Sequence, residues 1–348
     1  MDDRNAQVGW TEAQWNRVRE EVLQAWQRVR VAGSFLPIYG PLPPSTQVVP
    51  SEVLKDDDGS VDDRATAALV EIALPVILSR QQVWEEDLSS ALLQFRRRAT
   101  QLGQLEDWYI FNGTFPAADE FAPEENGLPH YRPDFAYLNP RDSSRRARIS
   151  GTPTPIEGVA NDLQIKGIRQ RNPGSLGLIG GPGVEQQQNA AKAALALQER
   201  PLDNNSKMQA IIINAINSLE NNGYVAPYVC VFGRKPFQEA FTPVNNSTVL
   251  PRDRIEPLIG RELLHASGID IPPYEPERYE NLKTEEWPKR GVLLSMADEP
   301  IDLALAAEAT LEFRQVNLDG KYVFSVFERF ALRIKDVQAI VPLMFEFL

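Results

Sequence analysis

The sequence is poor in the residues that do most protein chemistry: 348 residues hold one cysteine and two histidines. Cys230 has no partner for a disulfide within the chain. It stands in an apolar, strand-like run over 228–232, so it reads as a buried small hydrophobe. His130 and His265 form no His-x-x-x-His pair, and there is no Cys-x-x-Cys, which excludes a zinc site of the usual spacing. His265 lies beside Leu263 and Leu264 on a predicted helix and reads as structural. No run approaches the ~18 apolar residues of a membrane span. The start, Met1-Asp2-Asp3-Arg4-Asn5, is acidic and polar where a signal peptide is basic and then apolar. Together these features predict a reduced, cytoplasmic protein outside the membrane.

Positive charge is also scarce. Lys and Arg number 36 against 48 Asp and Glu, a net charge of -12. That balance argues against a surface for nucleic acid, whose phosphates need a basic face. The basic runs are short: Arg96-Arg97-Arg98, inside a predicted helix and read as a solvated or salt-bridged face, and Arg145-Arg146. Familiar ligand loops fail on inspection. The acidic stretch 55–63 would need calcium ligands at Leu54 and Ala65. The glycine-rich 174–181 has no leading strand and no Gly-Lys-Ser/Thr. Glu85-Glu86-Asp87 opens a helix, where carboxylates meet the positive helix end. No catalytic residue, cofactor or metal is assigned.

Ordinary core-building material is present, with 43% hydrophobic and 24% charged residues, enough for two or three domains. A helix is predicted over 12–31. Thr11 and Gln14 have capping-box spacing, Trp10 and Trp15 the spacing of a hydrophobic staple, and Trp15, Val18, Val22, Trp26 and Val29 lie on one face. Prolines at 37, 41, 43, 44 and 50 make 34–50 an extended arm. Two strand-like runs, 47–54 and 66–79, flank the acidic turn and predict a projecting hairpin, poorly stable alone and so packed on something else. Leu88, Leu92, Phe95, Ala99, Leu102, Leu105 and Tyr109 mark a helix over 88–111, a rod of about 35 Å. Nine prolines between 116 and 182 predict an irregular surface insertion. Beyond it come a helix over 206–222, a strand over 225–232, a short helix over 235–241, a turn-rich loop over 242–251 and a helix over 254–267. Strands follow at 291–296 and 301–306 and in the alternating run 311–330, and the apolar end, 331–348, is expected to be pinned as a strand.

Four stretches in this order resemble the encapsulins, shell proteins with the tailed-phage major capsid fold. They are Thr11-Glu12-Ala13-Gln14-Trp15 with the Gly40-Pro41 arm; Leu74-Pro75-Val76-Ile77-Leu78 running to Val83-Trp84-Glu85-Glu86-Asp87-Leu88; Glu106-Asp107-Trp108-Tyr109-Ile110-Phe111-Asn112-Gly113; and Phe330-Ala331-Leu332-Arg333-Ile334 through Ala339-Ile340-Val341-Pro342-Leu343. The departure is one of length: short encapsulins lack much of 114–188.

The resemblance implies an α+β fold in five parts: an N-terminal helix and arm (1–46), an extended hairpin (47–80), a peripheral domain with a long spine helix and the insertion (81–195), an axial domain (196–305), and C-terminal strands returning to the peripheral domain (306–348). It implies a self-assembling icosahedral shell whose partners are its own copies and a cargo enzyme carrying a short targeting peptide, with no nucleic acid and no membrane. It places cargo docking at Trp26, Val29, Phe35 and Leu36, where helix passes into arm, and a fivefold pore at Asn245, Asn246, Ser247 and Thr248. Some encapsulins hold a flavin near a tryptophan where this chain has Trp84; here Trp84 is read as core. Two alternatives stay open. One is a phage major capsid protein, disfavoured by the acidic balance and the lack of an evident scaffolding or cleaved segment at the start. The other is a soluble hydrolase with a site in the insertion.

Overall fold

A computed structural model describes residues 5–54, 61–62, 66–112, 148–150, 204–243, 248–270 and 289–345. The first helix, α1 (Glu12–Gln27), begins as its sequence predicts. The Thr11 backbone N–H donates to Gln14 Oε1 at 2.9 Å, and the Gln14 N–H donates to Thr11 Oγ1 at 3.3 Å. Trp10 and Trp15 close the staple with ring centroids 4.9 Å apart. Trp15, Val18, Val22 and Trp26 are all buried. The helix ends at Gln27, short of the predicted 31, and a 3-10 turn at Ala32–Ser34 leads into the arm.

The arm touches the body through β1 (Ile38–Tyr39). The hairpin consists of β2 (Val48–Pro50), β3 (Val53–Leu54), β4 (Val61–Asp62) and β5 (Thr66–Ala68), with β2 paired to β5 and β3 to β4. β6 (Val70–Leu78) then enters a sheet, and α2 (Arg80–Val83) leads to the long helix α3 (Ser89–Asn112). Its start is capped as expected: Glu85 Oε2 accepts from the Ser90 N–H at 2.9 Å and Asp87 Oδ1 from the Ser89 N–H at 3.2 Å. Its predicted stripe is buried throughout. Gly103 lets α1 approach closely, since a Cβ there would meet Val29 Cγ2 at 2.7 Å and the Trp26 carbonyl at 3.1 Å.

Of the insertion, β7 (Arg148–Ser150) is described and corrects the expectation of irregular structure there, because it adds a strand to β6. The remaining elements are α4 (Asn204–Asn221), β8 (Tyr228–Phe232), α5 (Arg234–Ala240), α6 (Pro251–Ile259), β9 (Leu264–His265), β10 (Arg290–Ser295), β11 (Ile301–Val316), β12 (Tyr322–Ile334) and β13 (Ile340–Met344). The predicted helix over 254–267 is corrected at both ends. Pro251 occupies the first turn, where a missing N–H costs nothing, and Gly260, at φ 71°, turns left-handed and stops the helix. His265 therefore sits on β9, parallel to β8. The alternating run 311–330 is also two elements. Asn317 Oδ1 accepts from the Asp319 and Lys321 N–H groups and folds the chain back, so β11 and β12 form one long hairpin.

Two sheets result, ordered β1-β11-β12-β6-β7 and β13-β10-β8-β9. β13 pairs with β10, while β12 pairs with β11 and β6. The second sheet is buried on both faces. Val229 and Val231 face the core of α1, α3 and the first sheet; Tyr228, Cys230 and Phe232 face a second core with α4, α5 and α6. This explains the unbroken apolar run around Cys230, whose thiol is fully buried and pushed well up from its ordinary range by that burial.

Candidate assembly surface

The residues of β12 divide into two faces, because successive side chains on a strand point opposite ways. On one face stand Arg329, Ala331 and Arg333. Ala331 joins Ala304 and Ala306 in a small-residue patch that receives Val49 and Leu69 of the hairpin base and Leu42 of the arm. The two arginines tie down the same segments. Arg329 donates to the Pro44 carbonyl and, at 2.9 Å, to the Thr46 carbonyl. Arg333 donates to Asp302 at 2.6 and 2.5 Å and to the Pro50 carbonyl at 3.0 Å, and stacks 3.7 Å from the Tyr39 ring. Lys335 completes the group, 2.9 Å from Asp302. Arm backbone joins sheet backbone where the Leu42 N–H donates to the Leu305 carbonyl at 3.1 Å. At Gly40, φ 146°, a Cβ would meet the Leu305 carbonyl at 2.8 Å, so a side chain has no room.

The hairpin is thus fixed at its base, while β3 and β4, among the described residues, pair with each other and with neither larger sheet. Ile38, Tyr39, Val48 and Val61 are exposed along arm and hairpin.

The sequence-predicted sites fare differently. Trp26 and Leu36 are buried, with Arg30 stacked 3.9 Å from the Trp26 ring, while Val29 and Phe35 are half-buried. A docking peptide could reach the second pair without unfolding and not the first. Asn245, Asn246 and Ser247 lie outside the described residues; Thr248 is exposed. His130 also lies outside them. Trp84 corrects its reading as core: it is 61% exposed, because α2 is one turn long and buries Val83 in its place, and Arg80 stacks 4.1 Å from its ring. Arg96 pairs with Glu21 at 2.7 and 2.9 Å, as a salt-bridged helix face should. Among the described residues, no group of three or more His, Cys, Asp or Glu could hold a metal ion, and no helix is long and apolar enough to cross a membrane.

On its opposite face, β12 presents Tyr322, Phe324, Val326, Glu328 and Phe330, all buried. Glu328 was missed in the sequence, although an acid on an apolar row with period two is a legible signal. It meets Glu106 and Asp107 of α3 and Arg30, just past α1. Arg30 lies 2.5 Å from Glu106 Oε1. Asp107 accepts from the Val31 N–H at 3.0 and 2.8 Å and from the Ala32 N–H at 2.8 Å. Among the described residues neither Glu328 oxygen has a hydrogen bond of normal geometry, and the Trp26 indole N–H reaches it only as a weak donor. Burial pushes Glu106 up to about 7 against the pull of Arg30, and Asp107 up to about 7 against its two backbone donors. Burial first, then the Glu106 charge, pushes Glu328 well above the usual carboxylate range.

No family model and no curated protein matches this sequence. Solved structures do. A virus-like particle from Pyrococcus furiosus aligns over 96% of this chain and 100% of its own, with TM-score 0.52 and 12% identity. The capsid of an empty GTA particle aligns over 91% and 90%, with TM-score 0.47 and 12% identity. The holo-SrpI encapsulin complex from Synechococcus elongatus PCC 7942 aligns over 92% and 89%, with TM-score 0.42 and 9% identity. The first of these carries the fold, end to end: this chain has the α+β fold of the tailed-phage major capsid proteins, the fold that encapsulin shells share.

Proposed function

We propose that the chain is a self-assembling icosahedral shell subunit of the encapsulin type, a non-enzyme that encloses cargo enzymes. The observation that carries this reading is the anchored arm and hairpin. Arg329 and Arg333 hold both at the base while exposed Ile38, Tyr39, Val48 and Val61 extend along them. A two-stranded ribbon is marginal in water alone, and a neighbouring copy supplies the missing cover. Extended segments also let thin subunits bury the roughly 2,000 Å² or more typical of obligate contacts. The net charge of -12 favours a protein cargo over a packed genome. Cargo peptide would settle on Val29 and Phe35, with Trp26 and Leu36 supporting them from beneath. The loop at 245–248 would ring a fivefold pore, neutral and polar in its side chains.

Purified protein should elute as a megadalton particle with hollow round images and carry no bound nucleic acid. A monodisperse species near 39 kDa at neutral pH removes the shell reading; particles that copurify with nucleic acid shift it to a phage capsid. In loaded shells, Asn245→Asp with Asn246→Asp should speed entry of cationic dyes and slow anionic ones. Identical rates discard the pore.

A further inference from the structure

The cluster under β12 holds three buried carboxyls and one partly buried guanidinium. Arg30 matches one negative charge, at Glu106, and the Val31 and Ala32 N–H groups hold a second, at Asp107. Nothing is left for Glu328. Its neighbour in β6 is Ile72, and across from it β11 bulges between Ala307 and Thr310, with the Glu308 side chain turned outward to solvent. Among the described residues, Glu106, Asp107 and Arg30 are the charged groups that act on it, with the Trp26 indole beside them. A buried carboxylate with no cation of its own and only a weak indole donor is costly enough that the group keeps its proton instead.

We propose that Arg30, Glu106, Asp107 and Glu328 form a proton-operated latch, which holds the segment after α1 against α3 and β12 while Glu328 is protonated and loosens that segment when the proton is lost. The segment is positioned to respond. Asp107 grips the backbone of Val31 and Ala32, Arg30 stacks on Trp26, and the arm to the hairpin begins a few residues on. A second negative charge beside Glu106 draws on Arg30 and competes for the same cation. The loosening therefore begins at residues 30–32 and reaches the arm, the part that the shell reading assigns to contacts between copies. The latch itself is a property of the single chain and does not depend on that reading.

The sign follows from linkage. Near and below the ordinary Glu pKa, folded and unfolded chains both hold the Glu328 proton. As pH rises, the unfolded chain loses it first, so stability falls until the folded chain loses it too. Glu106 and Asp107 add the same sign up to about 7. The test is hydrogen exchange on the intact protein across about pH 6 to 9, corrected for intrinsic rates. Protection at Val31 and Ala32 should drop about tenfold or more in the parent, the equivalent of one pKa unit. In Glu328→Gln, which is uncharged at every pH, the drop should be markedly smaller, while protection in α4 and α6 stays the same in both. Equal pH dependence in parent and variant overturns the latch. Infrared spectra of the parent decide independently of whether the variant folds. A protonated-carboxyl band that persists at about pH 8, where Glu106 and Asp107 have largely lost their protons, and fades in stronger alkali supports the latch; its absence at about pH 8 overturns it.

Discussion

The two faces of β12 carry charge in opposite ways. On the hairpin side, Arg333 is 6% exposed, yet its guanidinium meets a carboxylate, a carbonyl and an aromatic ring. On the helix side, five residues earlier on the same strand, Glu328 is fully buried and neither of its oxygens has a hydrogen bond of normal geometry among the described residues. The first charge is fixed by partners and fastens an external segment. The second lacks partners and is therefore free to titrate. A satisfied buried charge is a fastener, and an unsatisfied one is a sensor.

The largest effect should come from cutting the fastener. Arg333→Ala strands Asp302, itself 3% exposed, and frees the Pro50 carbonyl at the hairpin base. Removing one partner of a buried pair costs about 3–5 kcal/mol. Lys335 stays 2.9 Å from Asp302, so the lower end, about 3 kcal/mol, is expected in urea unfolding of dissociated subunits. Proteolysis should at the same time become fastest in the arm and hairpin. A loss below about 1 kcal/mol would mean that Arg333 is no more than a surface ion pair.

Opposite in sign and smaller, Glu328→Gln should raise the unfolding midpoint of subunits at alkaline pH and leave it unchanged near the ordinary Glu pKa. If the variant is destabilised equally at all pH values, Glu328 belongs with Arg333 as a structural charge, and the contrast between the faces dissolves.

Much of this molecule was legible in one sequence where structure is local. The Thr11–Gln14 box, the Trp10–Trp15 staple and the α3 stripe depend on residues three to five apart, and all three stand as read. What failed depends on partners far along the chain. Nothing near 340 announces that β13 will pair with β10. Nothing near Arg329 announces that it will hold the Pro44 and Thr46 carbonyls, more than 280 residues away. Trp84 reads as core, yet the one-turn helix before it buries Val83 and leaves Trp84 exposed. Trp26 and Leu36 are buried where the chain leaves α1, whose end at Gln27 comes four residues before the predicted 31. Glu328 is the exception. Its signal was local, one acid in the row from Tyr322 to Phe330, and reading carboxylates as surface residues hid it.

The smallest effect tests whether the Arg333 fastener is one interaction or several. Tyr39 lies in β1, where Ile38 and Tyr39 pair in parallel with Leu303 and Ala304 of β11, and its ring covers the Arg333 guanidinium at 3.7 Å. The ring is 41% exposed, so water screens part of the attraction. Tyr39→Leu keeps an apolar side chain and every backbone bond of β1 but removes the π face. A partly exposed cation–π contact is worth about 0.5–1 kcal/mol, and a loss of that size is expected. In the Arg333→Ala background the same substitution should cost close to nothing, because the cation it served is gone. An undiminished cost in that background would separate Tyr39 from the charge cluster. The ring would then act through contacts of its own along the arm, and the hairpin-side face of β12 would hold the arm by two independent attachments.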